Sequence, residues 1–104
     1  MDSKQLYIAT GHLSSIVTWE KDWIHIGIGK DIKGDLIDEF VDKFLIDESL
    51  NLIHGRRHSG KHLKSEIKNI VRDLVGQDNF QLWNESLTKV IGFNRIGVLR
   101  LGKK

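Results

Sequence analysis

The sequence has no cysteine, only eight aromatic residues among 104, and no apolar run longer than a few residues. Without cysteine there can be no disulfide framework, no thiolate zinc site and no cysteine nucleophile. Without a run of about 20 apolar residues no membrane-spanning helix is expected. The start, Met1-Asp-Ser-Lys-Gln, lacks the basic segment and apolar stretch of a secretory signal, so a cytoplasmic protein is expected. What is present suits one domain over residues 1–104: 39% apolar residues can supply a core, and 29% charged residues beside plentiful Ile, Leu and Val argue against disorder.

Charge is distributed unevenly. Residues 31–48 carry seven acids against Lys33 and Lys43, whereas residues 54–72 carry six bases against Glu66 alone. From Lys89 to Lys104 there are five bases and no acid. Such segregation either creates potentials that steer a charged partner or lines neighbouring helices that attract each other.

Local patterning indicates an α+β domain, a small antiparallel sheet packed with two to four helices. Leu6-Tyr-Ile-Ala9, Ile16-Val-Thr-Trp19 and Trp23–Ile28 read as short strands, the last with Ile24, Ile26 and Ile28 in alternation. A helical reading of 13–20 also fits its apolar spacing. Leu36, Ile37, Phe40, Val41, Phe44 and Leu45 draw one helical stripe, with Asp35 at the expected N-cap. Leu63, Ile67, Ile70, Val71 and Leu74 draw another, with Ser59 as the expected cap and Gly76 as the stop. In the last thirty residues, Trp83, Leu87, Val90 and Ile91 fit a helix, while Lys89–Phe93 and Ile96–Leu101 fit two strands joined around Asn94-Arg95. Both alternatives stand on sequence alone.

Several constellations imitate chemistry. Gly55-Arg-Arg-His-Ser-Gly60-Lys61-His62 matches a phosphate loop except for His62 where Ser or Thr should bind magnesium. Gly27, Gly29 and Gly34 miss the third dinucleotide-loop glycine, because position 32 is Ile32. Histidines 54, 58 and 62 are four apart, a spacing that serves zinc only on a continuous helix, and Gly55 and Gly60 argue against one. General acid–base catalysis could recruit His12 and His25 with Lys30 or Arg57, as in a ribonuclease, but it requires groups within hydrogen-bond reach. No catalytic, cofactor or metal residue is therefore assigned.

Binding is the stronger reading. Asp38, Glu39 and Asp42 lie opposite Phe40 and Phe44 and can face outward together, complementing a basic protein surface such as the cleft of a nuclease. The expected partner-binding set is Asp35, Asp38, Glu39, Asp42, Asp47 and Glu48, with Arg56 and Arg57 beside them. Trp19, Trp23 and Trp83 serve either as core or as interface anchors. The alternative is a small nucleic-acid-binding protein using Arg56, Arg57, Lys61, Lys64 and Lys68.

The tail Leu82-Trp-Asn-Glu-Ser-Leu-Thr-Lys-Val-Ile-Gly-Phe-Asn-Arg-Ile-Gly97 resembles stretches of the small bacterial immunity proteins of contact-dependent growth inhibition systems. The resemblance covers under a fifth of the chain. It implies a non-enzymatic cytoplasmic protein that binds a cognate toxin domain, often a nuclease, and blocks its active site. It transfers no individual functional residue.

Overall fold

The computed structural model describes residues 2–104. Its first element departs from expectation. Leu6–Ala9 belongs to a helix, α1 (Ser3–Ser14), not to a strand. The cause lies just upstream: the Asp2 carboxylate accepts from the Gln5 amide at 2.8 Å while the Gln5 side chain accepts from the Asp2 amide at 3.2 Å. This reciprocal cap satisfies two otherwise orphaned N–H groups. Leu6, Thr10 and Leu13 then fall on one side of the helix, where Leu6 and Thr10 are buried. The Thr10 hydroxyl is satisfied within the helix, donating to the Leu6 carbonyl at 2.8 Å.

Two very short strands follow, β1 (Thr18–Trp19) and β2 (Ile24–His25). Beyond a 3-10 turn at Gly29–Asp31 comes α2 (Gly34–Phe44), whose stripe is the expected one: Ile37, Val41 and Leu45 are fully enclosed. Asp35 sits inside the first turn of α2 instead of capping it; Lys33 holds the cap position without a side-chain bond.

Ser59 does not cap a helix. It closes the turn of a hairpin between β3 (Ser49–Ile53) and β4 (Gly60–Leu63), accepting from the His54 amide and donating to the Gly55 carbonyl. The helix begins only afterwards, as α3 (Lys64–Leu74), and Gly76 follows its end in the left-handed region with φ 82°. The phosphate-loop imitation therefore connects two strands. No helix N-terminus receives it.

The ambiguous tail is a three-stranded meander of β5 (Phe80–Trp83), β6 (Lys89–Asn94) and β7 (Val98–Lys103). The helical spacing of Trp83, Leu87 and Val90 is coincidental. Trp83 and Val90 are cross-strand partners, and Leu87 lies in the intervening turn at φ 57°. Asn84 organises that turn: its Oδ1 accepts from the Thr88 and Lys89 amides, and its Nδ2 donates to the Ser86 and Thr88 hydroxyls.

The seven strands form one antiparallel sheet in the order β1, β7, β6, β5, β3, β4, with β2 also pairing to β7. Period-2 alternation divides the side chains between two faces. One face presents Leu50, Leu52, Leu82, Ile91 and Leu99 to Ile37 and Val41 of α2 and Ile67 and Val71 of α3, forming the main core. The opposite face is smaller: Ile53, Trp83 and Val90 pack with Leu6 of α1 and with Val17. This is an α+β fold, and no helix among the described residues is long and apolar enough to cross a membrane.

Candidate functional site

The segregated charge is largely consumed inside the molecule. α2 and α3 lie side by side, and Arg72 Nη2 meets Asp38 Oδ2 at 2.7 Å while Lys68 Nζ meets Asp42 Oδ2 at 2.9 Å. Lys64 also approaches Asp42, at 4.0 Å, and its partial burial lowers its pKa against the opposing pull of that carboxylate. Glu39 pairs with Lys43 at 2.7 Å, Asp47 accepts from the Glu85 amide at 2.8 Å, and Lys61 pairs with Glu85 at 2.8 Å. Of the eight residues expected to meet a partner, Asp35, Glu48, Arg56 and Arg57 remain exposed without a side-chain contact of this kind among the described residues. Arg56 and Arg57 stand on the β3–β4 turn, which Ser3 of α1 anchors by donating to the Arg56 carbonyl at 2.6 Å.

A different surface stands out geometrically. Helix α1 covers only part of its sheet face, and beside it runs an open groove of about 980 Å³. Its floor is the outward side of β5, β6 and β7, including Gln81, Gly92 and Arg100. Tyr7 and His12 of α1 form one wall, Trp19 and Trp23 another, and His54, His58 and Asp78 close one end.

Sequence dictates how the aromatic wall is seated. Gly92 and Gly102 leave a flat patch on the sheet, and Trp19 lies across it: a Cβ on Gly92 would stand 3.2 Å from the ring, and one on Gly102 would stand 2.9 Å from it. Trp19 Nε1 donates to the Ser14 carbonyl at 3.0 Å, fixing the indole against the end of α1. Arg100 projects from β7 into this corner. Its guanidinium carbon lies 5.0 Å from the Trp19 ring centre and 4.4 Å from that of Trp23, within cation–π range of both. Trp23 keeps 44% of its surface exposed and Tyr7 keeps 39%, so the rim is wet and aromatic.

At the far end His54 Nε2 bonds Asp78 Oδ2 at 2.8 Å, tying the end of β3 to the loop before β5. That bond, followed by the Asn79 amide, holds the Asp78 carboxyl below its ordinary pKa. The His58 ring centre lies 6.1 Å from that of His54. His62 lies on β4, away from the groove and near Glu66, so the three histidines spaced by four do not converge. No set of three metal-ligating side chains occurs among the described residues. His12 lines the groove but His25 and Lys30 do not, so the catalytic pairing entertained from sequence is not assembled there.

Sequence reasoning missed Arg100 and the glycine seat. A signal existed in the alternation Val98–Leu101, which places Arg100 opposite the core residues Leu99 and Leu101. No family model, no curated protein and no solved structure matches this chain.

Proposed function

We propose that this chain is a non-catalytic binding protein, an immunity-type inhibitor that occludes a cognate toxin domain in the cytoplasm, and that the toxin seats on the groove beside α1. The observation that carries the reading is that Tyr7, Trp23 and Arg100 line one groove. Aromatic and arginine side chains dominate the energetics of protein interfaces, and here they surround a recess instead of completing a core. Arg56 and Arg57, on the turn whose His54 and His58 close the groove, extend the surface. A standard interface takes about 800 Å² from each partner, about an eighth of the 6260 Å² available here. The toxin family, a nuclease above all, comes from the resemblance of residues 82–97.

The carboxylates of α2 support this function less well than they did as sequence, because Asp38, Glu39 and Asp42 already hold internal cations. The nucleic-acid alternative loses continuity for the same reason: Lys61, Lys64 and Lys68 face Glu85 and Asp42.

Isothermal titration against the polypeptide encoded beside this gene tests the proposal. Nanomolar binding is expected, with Trp23→Ala and Tyr7→Ala each costing about 2 kcal/mol or ~30-fold, as central interface anchors do. Absence of binding, or full affinity in both variants, would refute it. Incubation with total RNA is the control for a ribonuclease.

A further inference from the structure

Arg100 has more hydrogen-bonding capacity than the molecule uses. A guanidinium carries five N–H donors, no acceptor, and a charge it does not lose. Among the described residues Arg100 enters no ion pair and no side-chain hydrogen bond, and its Nε is buried with no partner at all. Lys43, Lys61, Lys64, Lys68 and Arg72 each face a carboxylate, and Arg56 and Arg57 stand exposed to water, whereas Arg100 is partly buried and has neither arrangement. Leaving a buried donor unpaired is costly, yet this donor is held in place, with Trp19 on its own seat of Gly92 and Gly102 and Trp23 within 4.4 Å. Stacking occupies the faces of a guanidinium and leaves its in-plane N–H groups, the geometry that grips a carboxylate with two parallel bonds.

Resting on the reading of the groove as a toxin-binding surface, we infer that it receives a carboxylate-bearing segment of the partner protein. The carboxylate bonds Arg100, and apolar neighbours in the same segment lie against Trp23 and Tyr7. The electrostatics select this occupant over a nucleic acid. Among the described residues lining the groove Arg100 is the single permanent cation, and the Asp78 carboxylate stands within the same recess, so one isolated anionic group is matched where a row of phosphates is opposed. The open shape and exposed aromatic rim suit a peptide segment entering from a folded partner. The contact is thus opposite in sign to the one the acidic stretch suggested: this protein supplies the cation.

The partner need not be identified for the test. The folded protein is immobilised and a display library of random twelve-residue peptides is selected on it at pH 7.5, with each round depleted on the R100Q variant. Peptides with Asp or Glu next to Trp, Phe, Leu or Met are expected to be enriched. Synthesised singly, they should lose at least tenfold in affinity against R100Q and against W23A, and bind undetectably when their acids are changed to Lys. R100K should recover only part of the loss, because an ammonium cannot reproduce a two-pronged bond. Trp23 is solvent-exposed, so W23A keeps the test decisive should R100Q disturb the fold. Enrichment of basic peptides, no enrichment after depletion, or equal binding to R100Q overturns the inference, as does a ten-nucleotide oligouridylate that binds through Arg100 more tightly than any selected peptide. If the neighbouring-frame polypeptide binds wild type and R100Q equally, this inference fails and the inhibitor function stands. If peptides bind as expected but that polypeptide does not bind wild type, the inhibitor function fails and the carboxylate site stands.

Discussion

Replacing Gly102 with alanine tests whether the groove depends on glycine in the sheet. The added Cβ would lie 2.9 Å from Trp19 Cε3 and 3.0 Å from Val90 Cγ1, well inside the separation of about 3.5–4.0 Å at which carbon atoms attract. Neither neighbour yields easily. Val90 is fully enclosed, and the Trp19 indole is tethered through its Nε1 to the Ser14 carbonyl. Overpacking of this kind costs about 1–3 kcal/mol, while removing a glycine returns about 0.4–1 kcal/mol by restricting the unfolded chain. A net loss near 1.5 kcal/mol follows. With a urea slope of about 1.5 kcal/mol per molar, the unfolding midpoint should fall by ~1 M.

Gly92→Ala is the internal comparison. Its Cβ would approach only the outer edge of the same ring, at 3.2 Å, and a small tilt relieves it. A change within about 0.5 kcal/mol is therefore expected, since the entropic gain offsets the contact. Near-ultraviolet circular dichroism should register a displaced indole in Gly102→Ala and little change in Gly92→Ala. Because Arg100 rests against Trp19, partner affinity should fall with Gly102→Ala and survive Gly92→Ala. Equal midpoints for the two variants, or a larger loss from Gly92→Ala, would show that Trp19 is not seated as described.

Three further outcomes follow from the charged groups. Asp78 is held below its ordinary pKa by His54, so its contribution is present at neutral pH and vanishes as pH falls below the usual carboxylate range; urea midpoints of wild type and Asp78→Asn should differ at pH 6–7 and converge by about pH 2–3. Lys64 is lowered chiefly by burial, meaning that desolvation outweighs Asp42, so Lys64→Met should be neutral or mildly stabilising in thermal melts, and a loss above ~1 kcal/mol would contradict that balance. Reversing Asp38 and Asp42 together to Lys places like charges against Arg72 and Lys68; it should lower stability by about 1–2 kcal/mol, eased by high salt, while partner affinity at a temperature well below the melt stays within a factor of two to three.

Long-period amphipathic helices were legible from residue spacing, and short apolar runs were not. The stripes of α2 and α3 announce themselves because five apolar residues (Leu36, Ile37, Phe40, Val41, Phe44) and four (Ile67, Ile70, Val71, Leu74) repeat on one face, although Leu63, which the spacing also assigned to the second helix, ends β4 and is exposed. Leu6–Ala9 offers four residues, too few to separate a strand from one helical turn, so the decision fell to Asp2 and Gln5, whose spacing is a capping signal independent of hydrophobicity. Ser59 shows the converse: a residue chemically suited to cap a helix serves a hairpin turn, because Gly60–Leu63 finds a pairing partner in β3. The charge asymmetry was visible but its destination was not, since sequence gives the sign of a segment and not its neighbour. Once α2 and α3 share one face of the sheet, Asp38 and Asp42 meet Arg72 and Lys68, while Arg56, Arg57 and, in the groove, Arg100 keep no carboxylate partner among the described residues. That site draws on Trp19, Gly92, Arg100 and Gly102, brought together by the antiparallel register of β1, β6 and β7 across more than seventy residues of chain. The two glycines look like punctuation in a linear reading. In the folded sheet they are the surface that lets an indole lie flat beside the Arg100 guanidinium.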